Sequence, residues 1–142
     1  QADQIATLTG YVEMWRALGV ISLITSYDGF LARLLIAAGE PERARERIDA
    51  ALELAAATEM RYHDAELLRI RSHTFPPEDR ADDLRSAYEL ARTQAALVYE
   101  LRCAVELLEI DPTARELVAD AVARFPEDSG WPELARAQAL LR

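Results

Sequence analysis

The sequence predicts an all-α fold: an α–α superhelix of about three helix pairs, with a flanking helix at each end. Three observations carry that expectation. Composition is the first: of 142 residues, 26 are Ala, 20 Leu, 15 Glu and 16 Arg, all helix-favouring types, against only 5 Gly and 6 Pro. Periodicity is the second, because apolar residues return every three or four positions and no stretch shows the period of two that marks a half-buried strand. Punctuation is the third: Gly19, Gly39 and the proline pairs fall between the periodic segments. A compact helical bundle is the alternative. At this length a single domain buries ~70% of the surface its unfolded chain exposes. The alanine content implies close helix packing rather than a thick aromatic core.

The first segment sets Ile5, Leu8, Val12 and Trp15 on one stripe, with Gly19 as its stop. Phe30, Leu31, Leu34, Leu35 and Ala38 mark a second helix that closes at Gly39, where the chain can take positive φ. Pro41 opens the third, since a first-turn proline lacks only an N–H that has no intrahelical partner there. That helix carries Ala44, Ile48, Ala51, Leu52 and Ala55 on one face. Glu42, Arg43, Arg45, Glu46, Arg47 and Glu53 form a solvated charge stripe on the other.

After a break at 59–61 come Ala65, Leu68 and the stretch to His73. Thr74-Phe75-Pro76-Pro77-Glu78-Asp79 is the one strongly loop-like run inside the chain. Leu84, Ala87, Tyr88 and Ala91 make a fifth helix, and Leu101, Ala104, Val105 and Leu108 a sixth. Asp111-Pro112, an N-cap followed by a first-turn proline, opens a seventh that ends at Phe125-Pro126. Trp131-Pro132 starts the last, with Leu134, Ala137, Gln138 and Leu141. Eight helices joined by short loops make an antiparallel array.

Tyr27, Tyr62 and Tyr99 head similar segments and lie 35 and 37 residues apart. A helix–turn–helix unit of about 34 residues is the tetratricopeptide period. It divides the single domain 1–142 into units near 25–58, 62–95 and 98–125, with a C-terminal cap at 131–142. In the first unit Ala32, Ala44 and Ala51 take the positions of closest helix contact, beside Leu31, Leu35 and Ile48 at larger apolar positions. Small residues there are a steric requirement, so Ala51→Leu is expected to overpack the joint and cost ~1–3 kcal/mol.

Several runs carry a family resemblance together. They are Glu13-Met14-Trp15-Arg16-Ala17-Leu18-Gly19, Ala37-Ala38-Gly39-Glu40-Pro41-Glu42 and the stretch from Tyr62-His63-Asp64-Ala65 to Arg71. Ala91-Arg92-Thr93-Gln94-Ala95, Tyr99-Glu100-Leu101-Arg102-Cys103-Ala104 and the tail from Pro132-Glu133-Leu134 to Leu141 complete the set. Over nearly the whole chain this resembles the C-terminal tetratricopeptide region of large bacterial signalling ATPases. Those proteins carry an adenylate/guanylate cyclase or winged-helix domain, then a STAND-type ATPase, then the helical region; related arrays occur in LuxR-type regulators. Two departures matter. The second unit lacks roughly one helical turn and the turn glycine, with Pro76-Pro77 in their place, and the third lacks a turn glycine, so irregularity is expected after His73. The absence of Lys and Asn, both with AT-rich codons, points to a high-GC genome.

Charge excludes several functions. A chain of net charge −9 without a single lysine is a poor match for nucleic acid, whose affinity comes from clustered cations. The lone cysteine, Cys103, cannot form an internal disulfide and reads as a buried small hydrophobe. No window approaches the ~20 apolar residues of a membrane span. The chain begins at Gln1 without a basic or signal-like segment, which predicts a cytoplasmic piece cut from a longer protein.

Catalysis and cofactors are not expected. His63 and Glu66 share a helical face near Asp64, but two ligands do not make a metal site. Carboxylate pairs such as Glu106/Glu109 and Asp82/Asp83 read as solvated faces, and the five glycines are too scattered for a phosphate loop. Trp15, Tyr27, Tyr62, Tyr99 and Trp131 read as packing at helix ends and repeat joints, with a peptide-binding role for one of them as the alternative.

The register gives a better pointer. In tetratricopeptide arrays the first helix of each unit lines the concave surface, which places Arg33, Glu66, Arg69, His73, Arg102 and Glu109 toward the groove. Arg33, Arg69 and Arg102 could then stack as a cationic ladder suited to carboxylates; intrahelical Glu66–Arg69 pairing is the competing reading. On the ladder reading, Arg69→Glu abolishes partner binding with little effect on stability. The resulting expectation is a non-catalytic interaction or sensor module of a bacterial signalling or transcription-regulatory protein. It would bind a protein, a peptide, an effector or neighbouring domains of its own chain. Homodimerisation and small-molecule effector binding are the alternatives.

Overall fold

A computed structural model describes residues 2–21, 23–126 and 129–142. Among them there are eight α-helices and no strand: α1 (Ala2–Ala17), α2 (Ile24–Ala37), α3 (Pro41–Thr58), α4 (Asp64–Ser72), α5 (Ala81–Thr93), α6 (Leu97–Ile110), α7 (Arg115–Ala123) and α8 (Pro132–Leu140). Single 3-10 turns at Pro77–Asp79 and Pro112–Ala114 precede α5 and α7.

Helix ends follow local backbone chemistry. Gly39 takes φ 79° after α2, and the Glu40 and Gly39 N–H groups close back on the Leu35 and Ile36 carbonyls at 2.9 and 3.0 Å. This is the Schellman arrangement, which needs a left-handed residue after the helix. Gly19, at φ 71°, ends α1 in the same way. Ala95 does so after α5 at φ 54°, with the Ala96 N–H on the Ala91 carbonyl at 2.8 Å, although no glycine is present. Asp111 accepts from the Thr113 N–H at 2.9 Å, so the expected N-cap exists, but it caps the 3-10 turn rather than α7 itself.

The helices pack as neighbours, α2 on α3, α4 on α5 and α6 on α7. Along one side α2, α4, α6 and α8 also touch in sequence. Gly29 permits the first of those approaches: a Cβ there would lie 3.3 Å from Leu67 Cδ2 and 3.4 Å from Ile70 Cδ1. Two apolar clusters result. Ile5, Leu31, Leu35, Ala44, Ile48 and Ala51 join Leu67 and Ile70 in the N-terminal one. Leu84, Tyr88, Leu101, Ala104, Leu107, Val118 and Leu134 anchor the C-terminal one, with Leu68 packed against it. α4 therefore serves both.

Two packing expectations need correction. Phe30, assigned to the packed face of α2, is 55% exposed, because the helix turns Leu31, Ala32 and Leu35 inward instead. The α3 charge stripe is not purely solvated. Arg45 donates to the Thr74 hydroxyl at 3.0 Å and the Thr74 carbonyl at 2.7 Å, with its guanidinium 4.1 Å from the Phe75 ring centroid. Arg47 reaches Glu13 at 2.8 Å and the buried Asp28 at 3.3 Å. Arg45 thus ties down the loop-like run, and Arg47 links α3 to α1 and α2.

Candidate functional site

Where α2, α4 and α6 meet, they enclose a cavity of about 290 Å³. Its apolar wall is Gly29, Phe30, Leu67 and Ile70, and its polar groups include Arg33, His63, Glu66, Tyr99 and Arg102. The spacing is helical: Gly29 and Arg33 are one turn apart on α2, as are Glu66 and Ile70 on α4. The Tyr99 hydroxyl lies 3.3 Å from His63 Nδ1. Burial lowers the His63 pKa against the opposing pull of Glu66 and Asp64. Burial also raises the Tyr99 phenol. Thr25 and Ser26 line the same space, and the Ser26 hydroxyl oxygen is buried without a hydrogen-bond partner.

Three of the six residues placed toward the groove, Arg33, Glu66 and Arg102, meet at this cavity. Arg33 is exposed and has no hydrogen-bond or ion-pair partner among the described residues. Arg69 is different. It is only 8% exposed, donates to both Glu66 oxygens at 2.8 and 2.9 Å, and pairs with Glu106 on α6. Burial acts to lower its pKa, but the two carboxylates outweigh that and hold the guanidinium above its ordinary value. The surface placement behind the cationic ladder therefore does not describe Arg69, whose charge is consumed inside the α4–α6 joint.

His73 Nε2 lies 2.7 Å from the other Glu106 oxygen. Burial pushes the Glu106 carboxyl up, yet His73 and Arg69 together hold it below the ordinary carboxylate value. Arg102 divides itself between Glu66 at 3.4 Å and Glu133 of α8 at 2.6 Å, and that bond depresses the Glu133 pKa. Glu109 lies outside the cavity, paired with Arg136 at 2.8 Å on an exposed face. A continuous polar chain results: His73, Glu106, Arg69, Glu66, Arg102, Glu133.

Sequence reasoning missed three buried acids. Asp28, Asp64 and Glu100 are each 0 or 1% exposed. Asp28 receives Arg16 at 2.5 Å as well as Arg47, Asp64 receives Arg61 at 2.7 Å, and Glu100 receives Arg124 at 2.5 Å. Burial raises the Asp28 pKa even against its two arginines. A signal was available, since the three acids stand 36 residues apart, each within two residues of a tyrosine.

Cys103 is fully buried, and burial pushes its thiol up to about 12, far from a reactive thiolate. Among the described residues no group of three or more His, Cys, Asp or Glu side chains could hold a metal ion. None of the described helices is long and apolar enough to cross a membrane. Trp15 and Tyr27 pack with ring centroids 4.6 Å apart, whereas Tyr62 and Trp131 are exposed. Comparisons with protein-family models, curated proteins and solved structures return no match to this chain.

Proposed function

We propose that the chain is a non-catalytic, tetratricopeptide-like binding module of a regulatory protein, and that its binding surface is the side formed by α2, α4 and α6. The observation that carries this reading is the convergence of Arg33, Glu66 and Arg102, from three different helices, on one cavity. Sequential contact of α2, α4, α6 and α8 supports the superhelical arrangement, because the first helices of such units stack along the concave side. Arg102 offers a route from binding to response. A ligand that competes for its guanidinium weakens the bond to Glu133 and so the docking of α8.

Peptides selected from a random displayed library against the whole chain test the reading. Arg33→Glu is expected to weaken the selected peptides at least tenfold, while Arg43→Glu, on exposed α3, leaves them unchanged. Equal losses from both variants would indicate a nonspecific charge effect. No loss from Arg33→Glu would remove this surface from the account.

Homodimerisation is a second reading, favoured by a different observation. Tyr11, Met14 and Leu18 on and just after α1 are 52, 46 and 69% exposed, an apolar outer face without cover among the described residues. Sedimentation equilibrium distinguishes it: a dimer dissociated by Leu18→Glu supports the second reading, and a monomer at high concentration excludes it.

A further inference from the structure

We infer that the α2–α4–α6 cavity takes a small amphipathic monocarboxylate, with an aromatic or branched aliphatic body against Phe30 and Tyr99 and its carboxylate on Arg33. The inference rests on the proposal that this side of the array is the binding surface, and it adds the chemical class of the occupant.

Charge decides the sign of the ligand. Glu66 is already engaged by Arg69 and Arg102, and Arg102 is held by Glu133, which leaves Arg33 as the cation at the cavity with no carboxylate partner among the described residues. A planar guanidinium offers two parallel N–H donors, a match for one carboxylate. A phosphate is a poorer fit, since a multiply charged anion needs several free cations or backbone N–H groups, and among the described residues one free guanidinium lines the space.

Size and lining decide the body. A volume of about 290 Å³ holds on the order of ten non-hydrogen atoms, at roughly 30 Å³ for each water-sized group. Leu67 and Ile70 close over Gly29 and seal the base of the cavity, while half-exposed Phe30 supplies its accessible aromatic face. His63 Nδ1 and the Tyr99 hydroxyl, 3.3 Å apart, put two further polar groups at the same cavity. The lining thus offers one free charge, an apolar slot and further polar groups.

Such chemistry has two sources, a free small acid or the terminal carboxylate of a peptide ending in an aromatic residue. Titrations of the whole chain followed by NMR separate them, with phenylacetate, phenylacetamide, and one peptide ending in phenylalanine in free-acid and amidated forms. Phenylacetate is expected to give saturable shifts at the Gly29 and Leu67 amides, with the amide at least tenfold weaker. Arg33→Gln should reduce phenylacetate to the affinity of phenylacetamide, and Arg43→Gln should change neither. Binding of the free-acid peptide but not of phenylacetate also upholds the inference and assigns the source to a chain terminus. Equal affinity for acid and amide forms, or no saturable binding by any acid at tens of millimolar, overturns it. In the event that peptides selected from the library still bind through Arg33, that failure leaves the binding-surface proposal standing.

Discussion

Removing the Arg69 guanidinium leaves Glu66 and Glu106 facing each other across the α4–α6 joint with their shared counter-charge gone. Breaking one side of a buried ion pair is costly, so Arg69→Ala is expected to destabilise the fold by about 3 kcal/mol, read from its urea midpoint. Arg33→Ala should move stability by no more than ~0.5 kcal/mol, since nothing in the fold depends on an exposed, unpaired side chain. Equal midpoints for the two variants would contradict the division of roles. Ala95 gives a prediction of the opposite sign. It holds φ 54°, a conformation that costs an L-residue ~1–2 kcal/mol and a glycine almost nothing. Glycine also adds freedom to the unfolded chain, so Ala95→Gly is expected to gain about 0.5–1 kcal/mol net in the same urea titration. A loss of stability would mean that the strain at this turn is not real.

At the scale of elements, Glu106 makes the α4–α6 joint sensitive to acid. Its folded carboxyl is held below the ordinary value of 4.5, so the unfolded chain binds the proton more readily. Its stabilising contribution is complete above 4.5 and is lost as pH falls through the lower folded value. Asp28 works the other way, because a raised folded pKa adds relative stability as the proton is taken up. Replacing Glu106 with Gln removes only the first effect. The gap in melting temperature between wild type and Glu106→Gln should therefore close as pH falls from about 6 to about 3. A constant gap would remove Glu106 from the acid response.

The helices themselves were legible in the sequence. Apolar spacing placed Leu31, Ile48, Leu84 and Val118 correctly inside, and glycine and proline marked ends such as Gly39 and Pro41. Charge pairing within one helix was legible, as Glu66–Arg69 shows, but pairing between helices was not. Arg33 and Arg69 occupy comparable positions 36 residues apart, yet only Arg69 of the two faces acids on its own helix and on α6. Periodicity reports which way a residue points along its own helix. It does not report which neighbour stands there. Arg45 and Arg47 on α3 depart from the solvated stripe for the same reason.

Across the whole molecule α4 is the element shared by both halves. It contributes Leu67 and Ile70 to the N-terminal cluster and Leu68 to the C-terminal one, lines the cavity with Glu66, and supplies Arg69 and Glu66 to the polar chain that ends on α8. A ligand in the cavity therefore touches the element on which both halves depend. The most direct measurement is hydrogen–deuterium exchange of the whole chain with and without a library-selected peptide. The account predicts slowed exchange concentrated in α2, α4 and α6, with α8 exchanging faster as Arg102 leaves Glu133. Protection confined to α3, α5 and α7, or to the exposed apolar face of α1, would contradict it.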